Sequence, residues 1–308
     1  MLKLAFVFPG QGSQYVGMGK EIAESFDEAA QVFTAADDIC GYKLSSICFE
    51  GPQEVLNQTK FAQPAILVTS LACLSVAKKN GLSPQMVSGL SLGEYTALAA
   101  AGSISLEQVL PLVMRRAELM QEAVPLGKGA MAAIIGLDST IVENICSQVE
   151  GTVTVANYNC PGQLVISGNN DAVEEAANLL KQEGAKTKIL AISVPSHSPL
   201  MRDCAGIFSD EVARVQFNDP ISAEVISNVN AIENKAIDFP DLLVKQLYSP
   251  VRWEQSIRYM MTKVDYFIEI GPGSSLSGLI KKIDRNRVLG QIEDNKTLQK
   301  LIEKVKEI

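Results

Sequence analysis

Leu4 to Phe8 is a continuous apolar run closed by Pro9-Gly10, the pattern of a strand buried on both faces of its sheet. Behind it, apolar positions recur at helical spacing around Gly19–Asp37 and Pro64–Lys79. A short strand is predicted near Met86–Ser88, then a helix through Ala101 and another over Leu106–Glu122. Strand-turn-helix units in this order predict an α/β domain with a mainly parallel sheet.

Near Pro125-Leu126-Gly127-Lys128-Gly129 the rhythm changes. The pattern reads strand (Ala130–Ile135), helix (Ser139–Val149), strand (Val153–Asn157), strand (Gln163–Gly168), helix (Asp171–Gln182) and strand (Thr187–Ile192). This βαββαβ order is that of a ferredoxin-like unit. Thr140…Glu143 and Asp171…Glu174 have capping-box spacing, which predicts caps at both helix starts. Helical pattern returns over Pro199–Val215, and a late strand, Tyr266–Ile270, ends at Gly271-Pro272-Gly273 before a helix through Lys282. A small unit inserted in a larger α/β domain is therefore expected, with a ligand cleft between the two.

Composition narrows the class. The chain of 308 residues is 47% hydrophobic and 20% charged, as in a soluble globular protein, and a cytoplasmic location is expected. No apolar run approaches the ~20 residues of a membrane span, and Leu4–Phe8 is too short for a signal-peptide core, so no membrane partner is expected. With 27 basic against 35 acidic residues the formal charge is −8, which argues against nucleic-acid binding. Cys40, Cys48, Cys73, Cys146, Cys160 and Cys204 are scattered, and one histidine cannot complete a familiar zinc site with them. They read as reduced thiols, with no metal.

Gly89-Leu90-Ser91-Leu92-Gly93 follows the second strand and precedes an alanine-rich helix, the layout of a nucleophile elbow. A side chain at either flanking glycine would meet the neighbouring strand or helix. Ser91 would then stand clear of the sheet beside a helix N-terminus, where the Leu92 N–H can face an oxyanion. The five residues alone also describe a Gly/Ser-rich turn. His197 is the only histidine, so it alone can serve as the usual base for a serine hydroxyl. Pro195 and Pro199 restrict its loop, although a lone histidine by itself fits an ordinary core or surface residue. Gly10-Gln11-Gly12 begins like a dinucleotide fingerprint, but Tyr15 stands where the third glycine belongs. Arg116 lies on a helix, where arginine usually faces solvent, and Glu94 reads as a complement to a helix N-terminus.

Seven motifs in order carry a resemblance. They are Phe8-Pro9-Gly10-Gln11-Gly12-Ser13-Gln14, Gly89 to Tyr95, Met120 to Pro125, Asn159-Cys160-Pro161-Gly162-Gln163, Val194-Pro195-Ser196-His197, Gln246-Leu247-Tyr248 and Glu269-Ile270-Gly271-Pro272-Gly273. Over essentially its whole length the chain resembles the malonyl-CoA:acyl carrier protein transacylases. The resemblance implies an α/β-hydrolase-like large domain (1–126 and 196–308) and a ferredoxin-like small subdomain (127–195). It implies Ser91 as nucleophile, His197 as general base and acid, and Gln11 with the Leu92 N–H as oxyanion hole. Arg116 would clamp the malonyl carboxylate, and the Gln246 carbonyl would orient His197. Leu90 departs from the family motif, which has histidine before the serine; leucine fills the volume but donates no hydrogen bond. Malonyl-CoA and acyl carrier protein are the implied partners of a monomer without resident cofactor. Lys281, Lys282, Arg285 and Arg287, or Lys181, Lys186 and Lys188, offer basic patches for an acidic carrier protein. The carrier could serve fatty acid or polyketide synthesis, a trans-acting polyketide acyltransferase being one alternative. A serine esterase or thioesterase with the same dyad, and an acyl-CoA-binding module, are the other competing readings.

Overall fold

The computed structural model describes residues 2–125, 127–190 and 194–308. Among the described residues ten strands form two sheets: β1 (Leu4–Phe8), β2 (Met86–Gly89), β3 (Gly129–Ile135), β4 (Val153–Cys160), β5 (Gln163–Asn169), β6 (Lys186–Ile189), β7 (Glu224–Ile226), β8 (Glu233–Asn234), β9 (Tyr266–Ile270) and β10 (Val288–Ile292). The large sheet has the order β10-β9-β1-β2-β7-β8. All its pairings are parallel except the last, β7 with β8 at the edge. All five residues of β1 are buried, which its unbroken apolar run requires of a strand with neighbours on both sides and helices on both faces. Each large apolar side chain so buried contributes about 1.5–3 kcal/mol, so Phe6 and Phe8 anchor the sheet from which the functional loops spring.

The small sheet has the order β4-β5-β3-β6 with antiparallel pairing throughout, the ferredoxin-like arrangement. It closes over its own core, where Ile134, Val155 and Ile166 meet Val142, Val173 and Leu180 from the helices Ser139–Gln148 and Asn170–Gln182. The fold is thus α/β-hydrolase-like with a ferredoxin-like unit whose strands fall between Ser91 and His197 in the chain.

Three expectations need correction. The capping boxes do not form: the caps are Asp138 and Asn169, neither with a side-chain cap, because Thr140 and Asp171 already lie in the first turns. Asn169 spends its side-chain oxygen on the Thr152 N–H, and Glu143 accepts from the Tyr158 hydroxyl. A capping box is instead found at Asp294 and Thr297, at the start of the last helix. The helix expected from Pro64 starts at Thr59 and runs to Lys79, carrying Pro64 inside it. That helix is long and apolar enough to cross a membrane, contrary to the expectation that no run is, but 78% of its most apolar window is buried inside the fold, as in a core helix. The end of the strand expected over Thr187–Ile192 and the boundary residue Leu126 fall partly or wholly outside the described residues.

Candidate active site

The parallel strands β1, β2, β7 and β9 end on the same side of the sheet, and the segments that follow β1, β2 and β9 line one cleft of about 580 Å³. The loop after β1 supplies Gln11, and the turn after β2 supplies Ser91. The small sheet closes the other side with Met131, Ala133, Asn157, Asn159 and Val165. This is the crevice at the carboxyl ends of strands where open α/β sheets receive ligands.

Ser91 has φ 53°, in the left-handed region that costs a non-glycine residue about 1–2 kcal/mol. Its neighbours enforce the turn. A Cβ on Gly93 would overlap the Phe8 carbonyl of β1, and one on Gly89 would overlap the Gly93 carbonyl, so only glycine lets strand and helix approach this closely. Asn228, in the loop after β7, clamps the elbow from the other side. Its Oδ1 accepts from the Ser91 N–H at 2.7 Å and its Nδ2 donates to the Gly89 carbonyl at 2.7 Å.

His197 also has a positive φ, 61°. Its backbone N–H donates to the Leu247 carbonyl at 2.9 Å, and its ring Nδ1 lies 2.7 Å from the Gln246 carbonyl. A carbonyl only accepts, so Nδ1 carries the proton and Nε2 presents its lone pair. That lone pair faces Ser91 Oγ at 2.8 Å. Burial, and then the Arg116 charge, hold the imidazole down to about 4, so it is a neutral acceptor at ordinary pH.

Arg116 does not face solvent. It is fully buried, with Nη1 donating to Gln63 Oε1 at 2.7 Å and Nη2 donating to Gln246 Oε1 at 2.9 Å and to Ser91 Oγ at 3.1 Å. Its guanidinium lies 5.2 Å from the centre of the Tyr95 ring. Arg115, one position earlier, is on a different face and pairs with Glu118 at 3.2 Å. Gln246 is the hub of the site: its carbonyl holds His197, its Oε1 holds Arg116, and its Nε2 donates to the Ser91 carbonyl at 3.0 Å and to Glu94 Oε2 at 2.5 Å.

The Gln11 side chain is engaged elsewhere, donating to Thr59 Oγ1 at 3.1 Å and accepting from Gln63 Nε2 at 3.4 Å. Among the described residues, the backbone N–H groups of Gln11 and Leu92 have no hydrogen-bond partner, whereas those of Gly93, Glu94 and Tyr95 are all paired. Both residues line the cleft. Leu90 lines it too and packs against the apolar cluster of Val7, Trp253 and Leu276. Asn159 Oδ1 is buried there without a partner among the described residues. Lys282 lies at the mouth, donating to Gln163 Oε1 at 2.6 Å and so linking the late helix to β5.

The structure therefore brings Ser91, His197, Arg116 and Gln246 into direct contact and puts Gln11 and Leu92 on the same cleft. Sequence reasoning missed Gln63 and Asn228, whose signal was faint: a polar residue in an apolar helix, and Ser227-Asn228 straight after a short strand. All six cysteines are free thiols, and among the described residues no three potential ligands gather as a metal site would need.

Comparison with known proteins agrees with this geometry. The acyl transferase domain family matches residues 5–305. A malonyl CoA-acyl carrier protein transacylase of Bacillus subtilis is 46% identical over all of this chain and 98% of its own length. The crystal structure of a malonyl CoA-acyl carrier protein transacylase from Clostridium perfringens superposes with a TM-score of 0.96 at 40% identity, covering 99% of this chain and 98% of that one. A malonyl-transacylase solved in complex with its type II PKS acyl-carrier protein gives 0.95 at 40% identity, covering 98% of this chain and 99% of that one. The chain belongs to the acyl transferase domain family, and within it to the malonyl CoA-acyl carrier protein transacylases.

Proposed function

We propose that this acyltransferase moves the malonyl group from malonyl-CoA to the phosphopantetheine thiol of acyl carrier protein through a malonyl-Ser91 intermediate. The observation that carries the proposal is that one hydroxyl, Ser91 Oγ, is met by a neutral base, His197 Nε2, and by a buried cation, Arg116 Nη2.

The chemistry follows from that contact. His197 Nε2 takes the hydroxyl proton as Ser91 Oγ attacks the thioester carbonyl carbon. Charge develops on the carbonyl oxygen, and the unpartnered N–H groups of Gln11 and Leu92 are the donors available to it. Collapse breaks the carbon–sulfur bond, and His197 returns its proton to the departing CoA sulfur. The thiol of acyl carrier protein then repeats the sequence in reverse, and Ser91 recovers its proton. Gln246 supports the cycle with a carbonyl where a Ser-His-Asp triad has a carboxylate, which fixes the tautomer without adding a charge.

Arg116 supports a short, carboxylate-bearing acyl group. In a malonyl ester the carboxyl carbon lies only roughly 2.5 Å from the acyl carbon, given C–C bonds near 1.5 Å. A guanidinium 3.1 Å from the nucleophile is within reach of that carboxylate. It replaces lost hydration with charge-assisted hydrogen bonds, which an acetyl group cannot accept.

We take 127–195 as a subdomain that covers the cleft and 1–126 with 196–308 as the body that carries the chemistry, in a cytoplasmic monomer with no resident cofactor. Intact-mass measurement after incubation with malonyl-CoA, and again after adding carrier protein, tests the proposal. A malonyl adduct that persists in water and discharges to the carrier supports transfer, whereas rapid loss to water supports the esterase reading.

A further inference from the structure

Glu94, the second residue of the helix Gly93–Ala100, is buried at 2% exposure and its carboxylate has no part in the proton transfers above. Its Oε2 accepts from Gln246 Nε2 at 2.5 Å and from the Asn228 N–H at 3.2 Å. The other end of the same Gln246 amide accepts from Arg116 Nη2 at 2.9 Å. One amide thus joins a buried carboxyl to a buried guanidinium that makes no direct ion pair among the described residues; its side-chain acceptors, Gln63, Gln246 and Ser91, are all neutral.

A substrate carboxylate arriving at Arg116 would set two anions against one buried cation, in surroundings where an unmatched charge is expensive. We propose that Glu94 is the counter-charge of Arg116 in the empty enzyme and takes up a proton when a carboxylate-bearing acyl group replaces it, acting through Gln246 as a positioning residue for acyl selection. The inference rests on the malonyl reading of the site.

The surroundings leave Glu94 as the group able to respond. Burial pushes its carboxyl up to about 7, with Gln246, Ser227, Asn228 and Arg116 acting in the opposite direction. Facing Arg116 from other elements, His197 is held down to about 4 and Cys204 pushed up to about 11, while burial raises Tyr95 further. Near neutral pH none of these three changes charge. Glu94 does.

Acyl transfer itself moves no net proton while the CoA thiol stays protonated: the Ser91 proton ends on sulfur. Proton uptake from solvent therefore reports Glu94. By reciprocity, if a bound carboxylate raises the proton affinity of Glu94 about tenfold, ionised Glu94 weakens the carboxylate's hold about tenfold. The malonyl-to-acetyl ratio of kcat/KM then falls by about that factor as pH rises from about 6 to about 9.

The test mixes enzyme with malonyl-CoA or acetyl-CoA in weakly buffered indicator solution at about pH 7.5, on the alkaline side of Glu94's titration, and reads the adduct by intact mass in the same sample. The expected result is a fraction of a proton taken up per malonyl adduct and none per acetyl adduct. Glu94→Gln, which keeps a carbonyl acceptor for Gln246 and Asn228, should still form the malonyl adduct, take up no proton and lose the pH dependence of the malonyl-to-acetyl ratio. A malonyl adduct in the wild-type enzyme without proton uptake, or equal uptake with acetyl-CoA or in Glu94→Gln, overturns the inference. No malonyl adduct in the wild-type enzyme overturns the malonyl reading, and this inference with it.

Discussion

His197 and Ser91 meet at 2.8 Å, and both reach that contact from the left-handed backbone region, at φ 61° and 53°. Each conformation costs about 1–3 kcal/mol and persists because its surroundings over-determine it. Ser91 is held by Asn228, Gln246 and two glycines, and His197 by the Gln246 and Leu247 carbonyls. The short distance is therefore built into the backbone, and side-chain rotamers only complete it.

Removing Ser91 and removing His197 should have separable effects. Ser91→Ala should abolish acyl-enzyme formation, since no second hydroxyl stands on an elbow. His197→Ala should slow acylation by about 10²-fold or more, the usual scale for a positioned base. Rapid-quench measurement of adduct formation distinguishes the two.

Arg116→Ala should cut malonyl transfer by about 10²-fold or more while acetyl transfer changes little or rises, because breaking one side of a buried charge pair costs about 2–5 kcal/mol. Comparison of kcat/KM for the two CoA esters reads this directly. Equal losses would assign Arg116 to holding the fold.

The acid side of the pH profile should be unusually flat. With His197 held down to about 4, the neutral base persists well below the ordinary imidazole value of 6.5. From about pH 6 down to about 5, malonylation should hold steady, then fall toward pH 4 as His197 charges. The same shift makes stability fall with acid. The unfolded chain gains a proton near pH 6.5 that the folded one resists to about 4, so the contribution of neutral His197 is lost progressively across that window. Single-turnover rates and thermal melts across pH measure both.

Asn228→Ala should act through the elbow. It strips a partner from the Ser91 N–H and from the Gly89 carbonyl, both at 2.7 Å, and leaving such groups unsatisfied costs about 1–3 kcal/mol each. A lower Tm with a fall in kcat larger than any rise in KM is the expected outcome.

How legible the site was depends on what each residue needed from the fold. The strands Leu4–Phe8 and Tyr266–Ile270 and the helix Leu106–Glu122 match their expected bounds to the residue, because a mainly apolar run closed by proline and glycine, or a strong amphipathic stripe, states burial locally. Ser91 was visible because its glycines are a steric necessity of the turn, and His197 because it is unique. Arg116 was different. Helix periodicity puts it beside Arg115 with nothing to say that its face turns toward the elbow, so only the family resemblance pointed to it. Gln63, Asn228 and the Gln246 side chain are neutral amides whose work is to hold other groups, and that work exists only once distant loops converge. The capping boxes failed because the helices begin at Ser139 and Asn170, before the residues expected to cap them, so Thr140 and Asp171 lie inside the first turns.

Docking of the carrier protein should use one of two exposed basic clusters, Lys281 with Arg285 or Lys186 with Lys188. Charge reversal at Lys281 and Arg285, or at Lys186 and Lys188, should raise KM for carrier protein and leave acylation by malonyl-CoA unchanged. Steady-state kinetics with carrier protein as the varied substrate tell which cluster is used.

The most direct measurement is peptide mapping of the enzyme after a brief exposure to malonyl-CoA, followed by addition of holo acyl carrier protein. The malonyl group is predicted on Ser91, stable in water over the time of the carrier reaction, and transferred to the carrier thiol on mixing. A malonyl group on any other residue, or one lost to water as fast as to the carrier, would contradict the account.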